Sequence, residues 1–263
     1  MLGKIDIPQI EFNITTKCTL RCKHCSNFIP YLKPQEHCLI NIEDYKTQVD
    51  NLLNAVNSVK NFLLIGGEPL LVKNLHEYLD YVALKHKVKR VWIVTNGTLL
   101  MSDDLVNTIS KYKNKVTLWV SNYSKNEELK DKLKHVKLFE QINNANIDYD
   151  YKKDLTWGYT SPMVEQPLRK NSVEYYKNCN IRCVSVFGGK IYVCPRAGVL
   201  ALKGVYTPED GELIDLNIEK NPKILRKKLF DFYSRKSFTA CNYCTFMEDK
   251  AEGAILPAIQ IEQ

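Results

Sequence analysis

Three cysteines near the start of the chain are the residues most suited to chemistry. Cys18, Cys22 and Cys25 lie within eight positions of one another. Structural zinc sites and most iron–sulfur clusters take four protein ligands. His24 could be a fourth ligand, but it adjoins Cys25, and binding the same ion would strain the backbone. Three thiolates on a four-iron cube leave one iron open to a ligand, so the spacing indicates a catalytic metal centre.

The elements that position these cysteines follow from the hydrophobic pattern. Apolar runs without alternation predict buried strands, and apolar residues at helical spacing predict helices between them. The predicted strands are residues 9–16, 62–65, 91–94 and 116–120, and the predicted helices are residues 42–59, a segment around 75–82 and one that begins after Ser102. Strands that alternate with helices predict βαβ units around a parallel sheet.

Polar residues and glycines stand where the predicted strands end. Cys18, Gly67, Asn96 and Ser121 each follow one of the four strands. In parallel sheets, ligands bind beyond the carboxyl ends of the strands. We therefore expect these four residues to converge on one binding site.

Composition narrows the classes of protein. The chain has 263 residues, nine cysteines and a formal charge of +7. It contains no apolar run long enough to span a bilayer and no signal peptide, so a cytoplasmic protein without a membrane partner is expected. In that reducing compartment, clustered cysteines indicate metal binding or catalysis rather than disulfides. The basic residues are expected to lie on solvated helix faces, and nucleic-acid binding is not expected, whereas a small anionic substrate would suit the charge.

A second group of cysteines lies in the last third of the chain. Residues 184–193 alternate on either side of Gly188 and Gly189, which predicts a tight hairpin. A lysine-rich helix around 222–235 then precedes Cys241 and Cys244. We predict two domains, residues 1–175 and residues 176–263, with one further strand near 146–151 before the boundary.

The motifs resemble those of a known family. The pattern Cys18-x3-Cys22-x2-Cys25 resembles the CxxxCxxC signature of radical S-adenosylmethionine (SAM) enzymes, and residues 66–69 resemble their GGEP motif. The resemblance implies an α/β fold with a partial (β/α)6 barrel and a [4Fe–4S] cluster on the three cysteines. It also implies that SAM binds the fourth iron and is cleaved to a 5′-deoxyadenosyl radical, after one electron from a donor such as flavodoxin or ferredoxin.

The resemblance also implies which residues contact the SAM. Backbone carbonyls of the GGEP segment would accept hydrogen bonds from its ammonium group, and glycine lets that backbone come close. The cofactor-binding candidates are His24, Gly66, Gly67, Glu68, Pro69, Thr95, Asn96, Ser121 and Asn122. The alternative for the polar residues after the third and fourth strands is that they only cap the strand ends.

The later cysteines resemble the Twitch module, a shortened SPASM domain that holds an auxiliary [4Fe–4S] cluster. Its pattern, C-x(9–15)-G-x4-C followed by CxxC, is matched by Cys179, Gly189, Cys194, Cys241 and Cys244. A zinc ribbon is the structural alternative. Cys183 is surplus to the pattern, although it could exchange roles with Cys179, and it is either a buried side chain or a hydrogen donor to a substrate radical. Cys38 is a further spare cysteine, expected to be buried rather than reactive.

The size of the chain and its single auxiliary module resemble the 2-deoxy-scyllo-inosamine dehydrogenase type of radical SAM enzyme. That resemblance implies oxidation of a carbohydrate- or cyclitol-like alcohol, with the auxiliary cluster as electron acceptor. The alternatives are a peptide-modifying enzyme that forms a crosslink or an epimer, and a non-catalytic, metal-bound nucleic-acid binder. Arg169, Arg182 and Arg196 are candidates for binding an anionic group of the substrate, and Asn27 and Tyr31 could also contact the substrate. The candidates for catalysis are Tyr31, Arg182, Cys183 and Arg196.

Overall fold

The computed structural model describes residues 3–151, 156–161, 163–179 and 183–262. The strands of this part of the chain are β1 Asp6–Thr15, β2 Ser58–Gly66, β3 Val88–Thr95, β4 Val116–Val120, β5 Tyr149–Asp150, β6 Trp157–Gly158, β7 Val184–Phe187, β8 Lys190–Tyr192, β9 Ile214–Asp215 and β10 Ala254–Ile255. Its α-helices are α1 Ile42–Ala55, α2 Leu75–Ala83, α3 Asp103–Lys111, α4 His135–Asn144, α5 Val173–Asn178, α6 Pro195–Leu202, α7 Pro222–Ser234 and α8 Phe246–Ala251. None of these helices is both long and apolar enough to cross a lipid bilayer.

Eight of the strands form one sheet in the order β5-β4-β3-β2-β1-β7-β8-β9. From β5 to β7 every neighbouring pair is parallel, and the last two pairs are antiparallel. The order of β1 to β4 in space follows their order in sequence, as expected of successive βαβ units. The fold class predicted from the sequence, an α/β partial barrel, is confirmed.

Strand β1 is the centre of the core and is covered on both faces. Phe12 is fully buried and packs against Phe62 on β2 and Tyr45 on α1, at ring-centroid distances of 4.6 and 5.8 Å. Because alternate residues of a strand point to opposite faces, Glu11 and Asn13 point to the other side, away from α1. Polar residues at these two positions therefore lie on the inner face of the barrel.

The helix boundaries are set by capping residues and by competition with the sheet. Ser102 caps α3, because its hydroxyl oxygen accepts a hydrogen bond from the Leu105 amide at 3.3 Å, as predicted. The prediction that the first helix continues to residue 59 is wrong: α1 ends at Ala55, and Val59 belongs to β2. Val59 is fully buried in the sheet, so its apolar side chain satisfies a strand as well as a helix.

The predicted hairpin is present, and it is continuous with the large sheet. Gly188 and Gly189 have φ angles of 57° and 76°, which favour glycine, and they join β7 to β8. Strand β7 pairs in parallel with β1, with Ile10 opposite Val184. The division of the chain near residue 175 remains a prediction, and the sheet runs across that boundary. The strand predicted at 146–151 is shorter, Tyr149–Asp150.

Candidate functional site

The carboxyl ends of β1, β2, β3 and β4 surround a cavity of about 150 Å³, which we call the first pocket. Cys18, Cys22 and Cys25, in the loop after β1, line one side of it. The other walls include the residues that follow the next three strands, namely Gly66, Gly67, Thr95, Asn96 and Ser121. Parallel strands end at a common edge, and the structure thus brings the expected residues together.

Four cofactor-binding candidates, His24, Glu68, Pro69 and Asn122, do not line the first pocket as the described residues define it. Pro69 begins a short 3-10 turn. Asn122 closes the turn after β4, where its Oδ1 accepts hydrogen bonds from the amide and hydroxyl of Ser124 at 3.0 and 2.6 Å. His24 points into a neighbouring cavity, and its Nδ1 lies 2.9 Å from the carbonyl oxygen of Thr160.

Gly66 and Gly67 are required by the backbone of the cysteine loop. A Cβ on Gly66 would lie 2.0 Å from the carbonyl oxygen of Thr15, and one on Gly67 would lie 2.2 Å from that of Lys17. The Gly67 amide donates to the Thr15 carbonyl at 2.8 Å, and the Glu68 amide donates to the Lys17 carbonyl at 2.9 Å. The two glycines therefore let the end of β2 lie directly against the start of the cysteine loop.

The carboxylate of Glu68 links the ends of β2 and β3. The side chain is fully buried, and its oxygens accept hydrogen bonds from the Leu70 amide at 3.0 Å, the Thr95 hydroxyl at 2.8 Å and the Asn96 amide at 2.7 Å. Burial raises the pKa of Glu68 to about 7, and these three donors act in the opposite direction. Glu68 therefore fixes the position of Asn96, which itself lines the first pocket.

The thiols of the first pocket favour a positively charged ligand. Burial raises the pKa of Cys18 to about 11 and also raises the pKa values of Cys22 and Cys25. Mutual repulsion of the thiolates raises the pKa values of Cys18 and Cys22 further. A cationic metal group would remove this penalty by pairing with all three thiolates. The donor set therefore fits a metal centre.

Three thiolates are one fewer than a closed structural zinc site normally takes. Cys18, Cys22 and Cys25 line one pocket, and three thiolates on a four-iron cluster would leave one iron open to a ligand. In the part of the chain that the structure describes, no group of three or more His, Cys, Asp or Glu side chains is already gathered as the ligands of a single metal ion.

A second pocket of about 170 Å³ lies beside the first. It is lined by all five cysteines of the later group, which are Cys179, Cys183, Cys194, Cys241 and Cys244. Cys179 follows the last residue of α5, and Cys194 immediately precedes α6. Burial and the neighbouring thiol of Cys244 raise the pKa of Cys194 to about 12. The hairpin thus returns the chain to Cys179, as the spacing predicted.

Arg169 holds the loop that carries Cys241 and Cys244. Its Nη1 donates to the carbonyl oxygens of these two residues at 2.5 and 2.8 Å. Its guanidinium stacks on the ring of Tyr175 at 3.8 Å from the centroid and pairs with Glu248. The arginine therefore sets the shape of the CxxC loop through the backbone rather than through the sulfurs.

Cys183 differs from the other cysteines of the second pocket because its thiol forms hydrogen bonds with side chains of β1. The amide nitrogen Nε2 of Gln9 donates to the Cys183 sulfur at 3.0 Å, and the thiol forms a hydrogen bond with Glu11. Glu11 is nine-tenths buried, and its Oε2 has no hydrogen-bond partner among the described residues. Burial raises the pKa of Glu11 to about 7, and the hydrogen bond with Cys183 partly opposes this rise.

Arg196 lies between the two pockets. Its charge partly offsets the rise in pKa that burial imposes on Cys25 in the first pocket and on Cys194 in the second. Nη1 pairs with the carboxylate of Asp249 at 3.3 Å, and Nη2 donates to the Thr160 hydroxyl at 3.2 Å. Within the described part of the chain, Nε has no partner. Most donors of this candidate substrate contact are thus bound by the protein itself.

Ser26 lies where the first and second pockets meet a third cavity. It lines all three, and the third cavity, of about 260 Å³, is also bordered by His24, Trp157, Arg196 and residues 158–160. Arg182, another candidate substrate contact, lies outside the described residues. Asn27 lines the first pocket. The hydroxyl of Tyr31 donates to the carbonyl oxygen of Lys23 at 2.9 Å, in the cysteine loop.

The sequence reasoning missed several residues of the site. Tyr123 and Trp157 line the first pocket and pack edge to face at 5.5 Å. Tyr123 directly follows the strand end at residues 121–122, so its position could have identified it. Glu11 could also have been identified from the sequence, because it is a charged residue inside an apolar strand. Gln260, which contacts Cys22, carried no sequence signal at all.

Comparisons with known proteins identify the family to which the described fold belongs. Residues 12–150 match the model of the Radical SAM superfamily. A segment covering 46% of the chain is 35% identical, over 122 residues, to the antilisterial bacteriocin subtilosin biosynthesis protein AlbA of Bacillus subtilis, and it spans only a quarter of that relative. GTP 3′,8-cyclase of Clostridium botulinum is 21% identical over 278 residues, which cover 98% of this chain and 82% of the cyclase.

Solved structures share the fold. BtrN in complex with AdoMet and 2-DOIA superimposes with a TM-score of 0.51 and 18% identity, over 99% of this chain and 98% of BtrN. Native anSMEcpe with bound AdoMet gives a TM-score of 0.55 and 14% identity, over 86% of this chain and 81% of that protein. At these identities the similarity is one of fold.

Proposed function

The chain belongs to the radical SAM superfamily, and we propose that it oxidises a carbohydrate- or cyclitol-like alcohol. When bound, a [4Fe–4S] cluster and SAM supply a 5′-deoxyadenosyl radical, after one electron from a flavodoxin or ferredoxin. Such a radical would take the hydrogen atom from the carbon that bears the hydroxyl, and an auxiliary [4Fe–4S] cluster would accept the remaining electron. Release of the hydroxyl proton to solvent would then leave a ketone.

The first pocket supports the assignment of the catalytic cofactors. Cys18, Cys22 and Cys25 would hold the SAM-binding cluster, because they are the buried thiols of that pocket. The backbone of Gly66 and Gly67 forms the facing wall, where its carbonyls can accept hydrogen bonds from the SAM ammonium. The side chains of Thr95, Asn96 and Ser121 would contact the rest of SAM, whereas Glu68 would act by holding Asn96 in place.

The single observation that carries the proposal is the cysteine-lined second pocket, which meets the first at Ser26. We assign Cys179, Cys194, Cys241 and Cys244 as ligands of the auxiliary cluster, in line with the spacing of the motif. The spacing of the motif assigns Cys179 as the fourth ligand, and Cys183 forms hydrogen bonds with Gln9 and Glu11. With four protein ligands the auxiliary cluster would have no open iron, so it would accept an electron rather than bind the substrate.

The third cavity supports a small substrate. Its volume of about 260 Å³ is close to the lower end of the ligand pockets of proteins. Arg196 borders this cavity, and its buried Nε–H has no hydrogen-bond partner among the described residues. Because Asp249 already balances the charge of Arg196, this donor suits a hydroxyl or carbonyl oxygen better than a phosphate. BtrN, a protein of the same fold, was solved in complex with AdoMet and 2-DOIA, and the proposal takes that complex as its precedent.

The second candidate function is the modification of a peptide. It is favoured by the similarity of nearly half of the chain to AlbA, a bacteriocin biosynthesis protein. A small precursor-peptide gene beside the gene for this chain would favour peptide modification, and genes for sugar biosynthesis would favour oxidation of an alcohol. Incubation with such a peptide, followed by mass spectrometry, tests this candidate directly.

Iron analysis and isotope transfer test the proposed function. Anaerobically reconstituted protein should contain roughly eight iron atoms, falling to about four in Cys18→Ala and in Cys244→Ala, as expected of two four-iron clusters. Wild type and Cys244→Ala should cleave SAM on reduction, and Cys18→Ala should not. With a cyclitol deuterated at its carbinol carbons, wild type should form deuterated 5′-deoxyadenosine and a ketone. A content near four irons in wild type would refute the auxiliary cluster, and the absence of SAM cleavage would refute the radical chemistry.

A further inference from the structure

The C-terminal segment, residues 257–262, lies along the loop that carries the first three cysteines. The Lys23 amide donates to the carbonyl oxygen of Ile259 at 2.7 Å, and the Ile261 amide donates to that of Arg21 at 2.8 Å. Cys22 and Gln260 stand opposite each other in this short antiparallel bridge. The segment therefore pairs with the cysteine loop through its backbone and places Gln260 beside a thiol.

The side chain of Gln260 is held so that one of its N–H groups points at the Cys22 sulfur. Its Oε1 accepts a hydrogen bond from the Arg21 amide at 2.8 Å. Its Nε2 lies 2.6 Å from the carbonyl oxygen of Ala258 and 3.7 Å from the sulfur of Cys22. Because both ends of the carboxamide are engaged, the group cannot rotate away from the sulfur without losing two other hydrogen bonds.

A second set of contacts anchors the segment independently of Gln260. Asn126, which is almost fully buried, donates through Nδ2 to the carbonyl oxygens of Pro257 and Ala258, both at 3.0 Å. Ala258 is fully buried and packs with Leu20, Cys22, Tyr123 and Leu129. The segment should therefore remain in place when the side chain of Gln260 is changed.

Hydrogen bonds to the sulfurs of an iron–sulfur cluster raise its reduction potential, and outer contacts of this kind orient the ligands. We propose that Gln260 is a positioning residue of the SAM-binding cluster, which orients the Cys22 sulfur and raises the potential of that cluster. The inference rests on the proposed function in one respect, the assignment of Cys22 as a cluster ligand. It assigns a role in the first site to a residue that lies 238 positions further along the chain.

Two substitutions at Gln260 and one matched control test the inference. Gln260→Met keeps the length of the side chain and removes all of its hydrogen bonds. Gln260→Glu keeps the acceptor for Arg21 and removes the N–H donor. The control is Gln141→Met, because Gln141 likewise bonds a backbone amide and a backbone carbonyl, both of Met101, at 3.1 and 3.0 Å. Gln141 does not line the first or the second pocket.

The measurements use the reconstituted holoenzyme. An EPR-monitored redox titration should give a more negative potential for the first cluster in both Gln260 variants, with the auxiliary cluster and the control unchanged. Iron should leave the first cluster roughly ten-fold faster in the presence of a chelator, the size of effect that outer contacts have on metal sites. Gln260→Met separates the loss of the hydrogen bond from the added negative charge of Gln260→Glu, and Gln260→Leu replaces it if Gln260→Met fails to fold.

The outcomes separate the two proposals. An unshifted potential in a fully loaded Gln260→Glu protein would overturn the role of Gln260 and leave the proposed function intact. A wild-type protein that does not load the first cluster would be recognised by its iron content, and it would overturn both. Equal shifts in the Gln260 variants and in Gln141→Met would show a general structural effect and would also overturn the role.

Discussion

The tightest contact of the first site gives the sharpest prediction, the substitution Gly67→Ala. The new Cβ would lie 2.2 Å from the carbonyl oxygen of Lys17, 2.5 Å from its carbonyl carbon and 2.9 Å from the Cβ of Cys18. Two of these atoms belong to the backbone, so a change of rotamer cannot relieve the clash. The contact with Lys17 has to open to at least 3.0 Å, and the cysteine loop has to move away from β2.

The size of the effect follows from the contacts that hold these two segments together. Moving them apart weakens the hydrogen bonds from Gly67 to Thr15 and from Glu68 to Lys17, now 2.8 and 2.9 Å long. Each contributes about 1 kcal/mol to stability, and the remaining strain of overpacking adds about 1–3 kcal/mol. We expect Gly67→Ala to lower the free energy of unfolding by about 3–5 kcal/mol. A loss of this size is a large fraction of the total stability of a domain, which is about 5–15 kcal/mol.

Two measurements on Gly67→Ala check this reasoning. Urea unfolding gives the loss of stability, and iron analysis after anaerobic reconstitution shows which cluster is affected. We expect the variant to lose the irons of the first cluster and to keep those of the second. Apart from Glu11 and Ser26, every residue that lines the second pocket lies at position 175 or later in the chain, away from the cysteine loop in sequence. The matched control is Gly158→Ala, whose Cβ would meet no atom within 4 Å. Normal iron content and stability in Gly67→Ala would refute the argument that the glycine is required by the cysteine loop.

Three further predictions concern Arg169, Asp249 and Glu11. Arg169→Ala should lose the auxiliary irons and keep the first cluster, since it frees the carbonyls of Cys241 and Cys244; equal iron content in variant and wild type would contradict this. Asp249→Asn should lower stability by about 3 kcal/mol in urea unfolding, because it leaves the buried charge of Arg196 without its partner; a change below about 1 kcal/mol would show that the pair is dispensable. The pKa of Glu11 is raised to about 7, so between pH 4.5 and 7 the folded protein binds more protons than the unfolded chain. The free energy of unfolding should therefore fall as the pH rises through that range, and Glu11 should account for up to about 3 kcal/mol of the fall. Glu11→Gln should show a smaller fall than wild type when both are unfolded at pH 5 and pH 8, and parallel pH profiles would contradict the buried position of this carboxylate.

Features that depend on short stretches of chain could be predicted from the sequence. The spacing of Cys18, Cys22 and Cys25, the strand ends at Gly67 and Asn96, and the hairpin at Gly188 are all local. Hydrophobic periodicity identified the strands and helices for the same reason, since the repeat of each element is a property of neighbouring residues. The predicted end of α1 was wrong because Val59, a buried apolar residue, is as compatible with a strand as with a helix.

The partners of the side chains were decided by the tertiary structure. Glu68 belongs to the GGEP motif, yet its carboxylate accepts hydrogen bonds from Thr95, the last residue of β3, and from Asn96, which follows it. Arg196 follows a cysteine of the second pocket, yet it pairs with Asp249 and lies near Cys25 of the first. These contacts arise when the sheet and its loops pack, and they satisfy buried polar groups that would otherwise be costly. The amino-acid sequence alone thus determined the donor atoms and the chemistry available to them. Packing between residues as far apart as Cys22 and Gln260 decided which of those atoms meet, because no local periodicity encodes a contact across 238 positions.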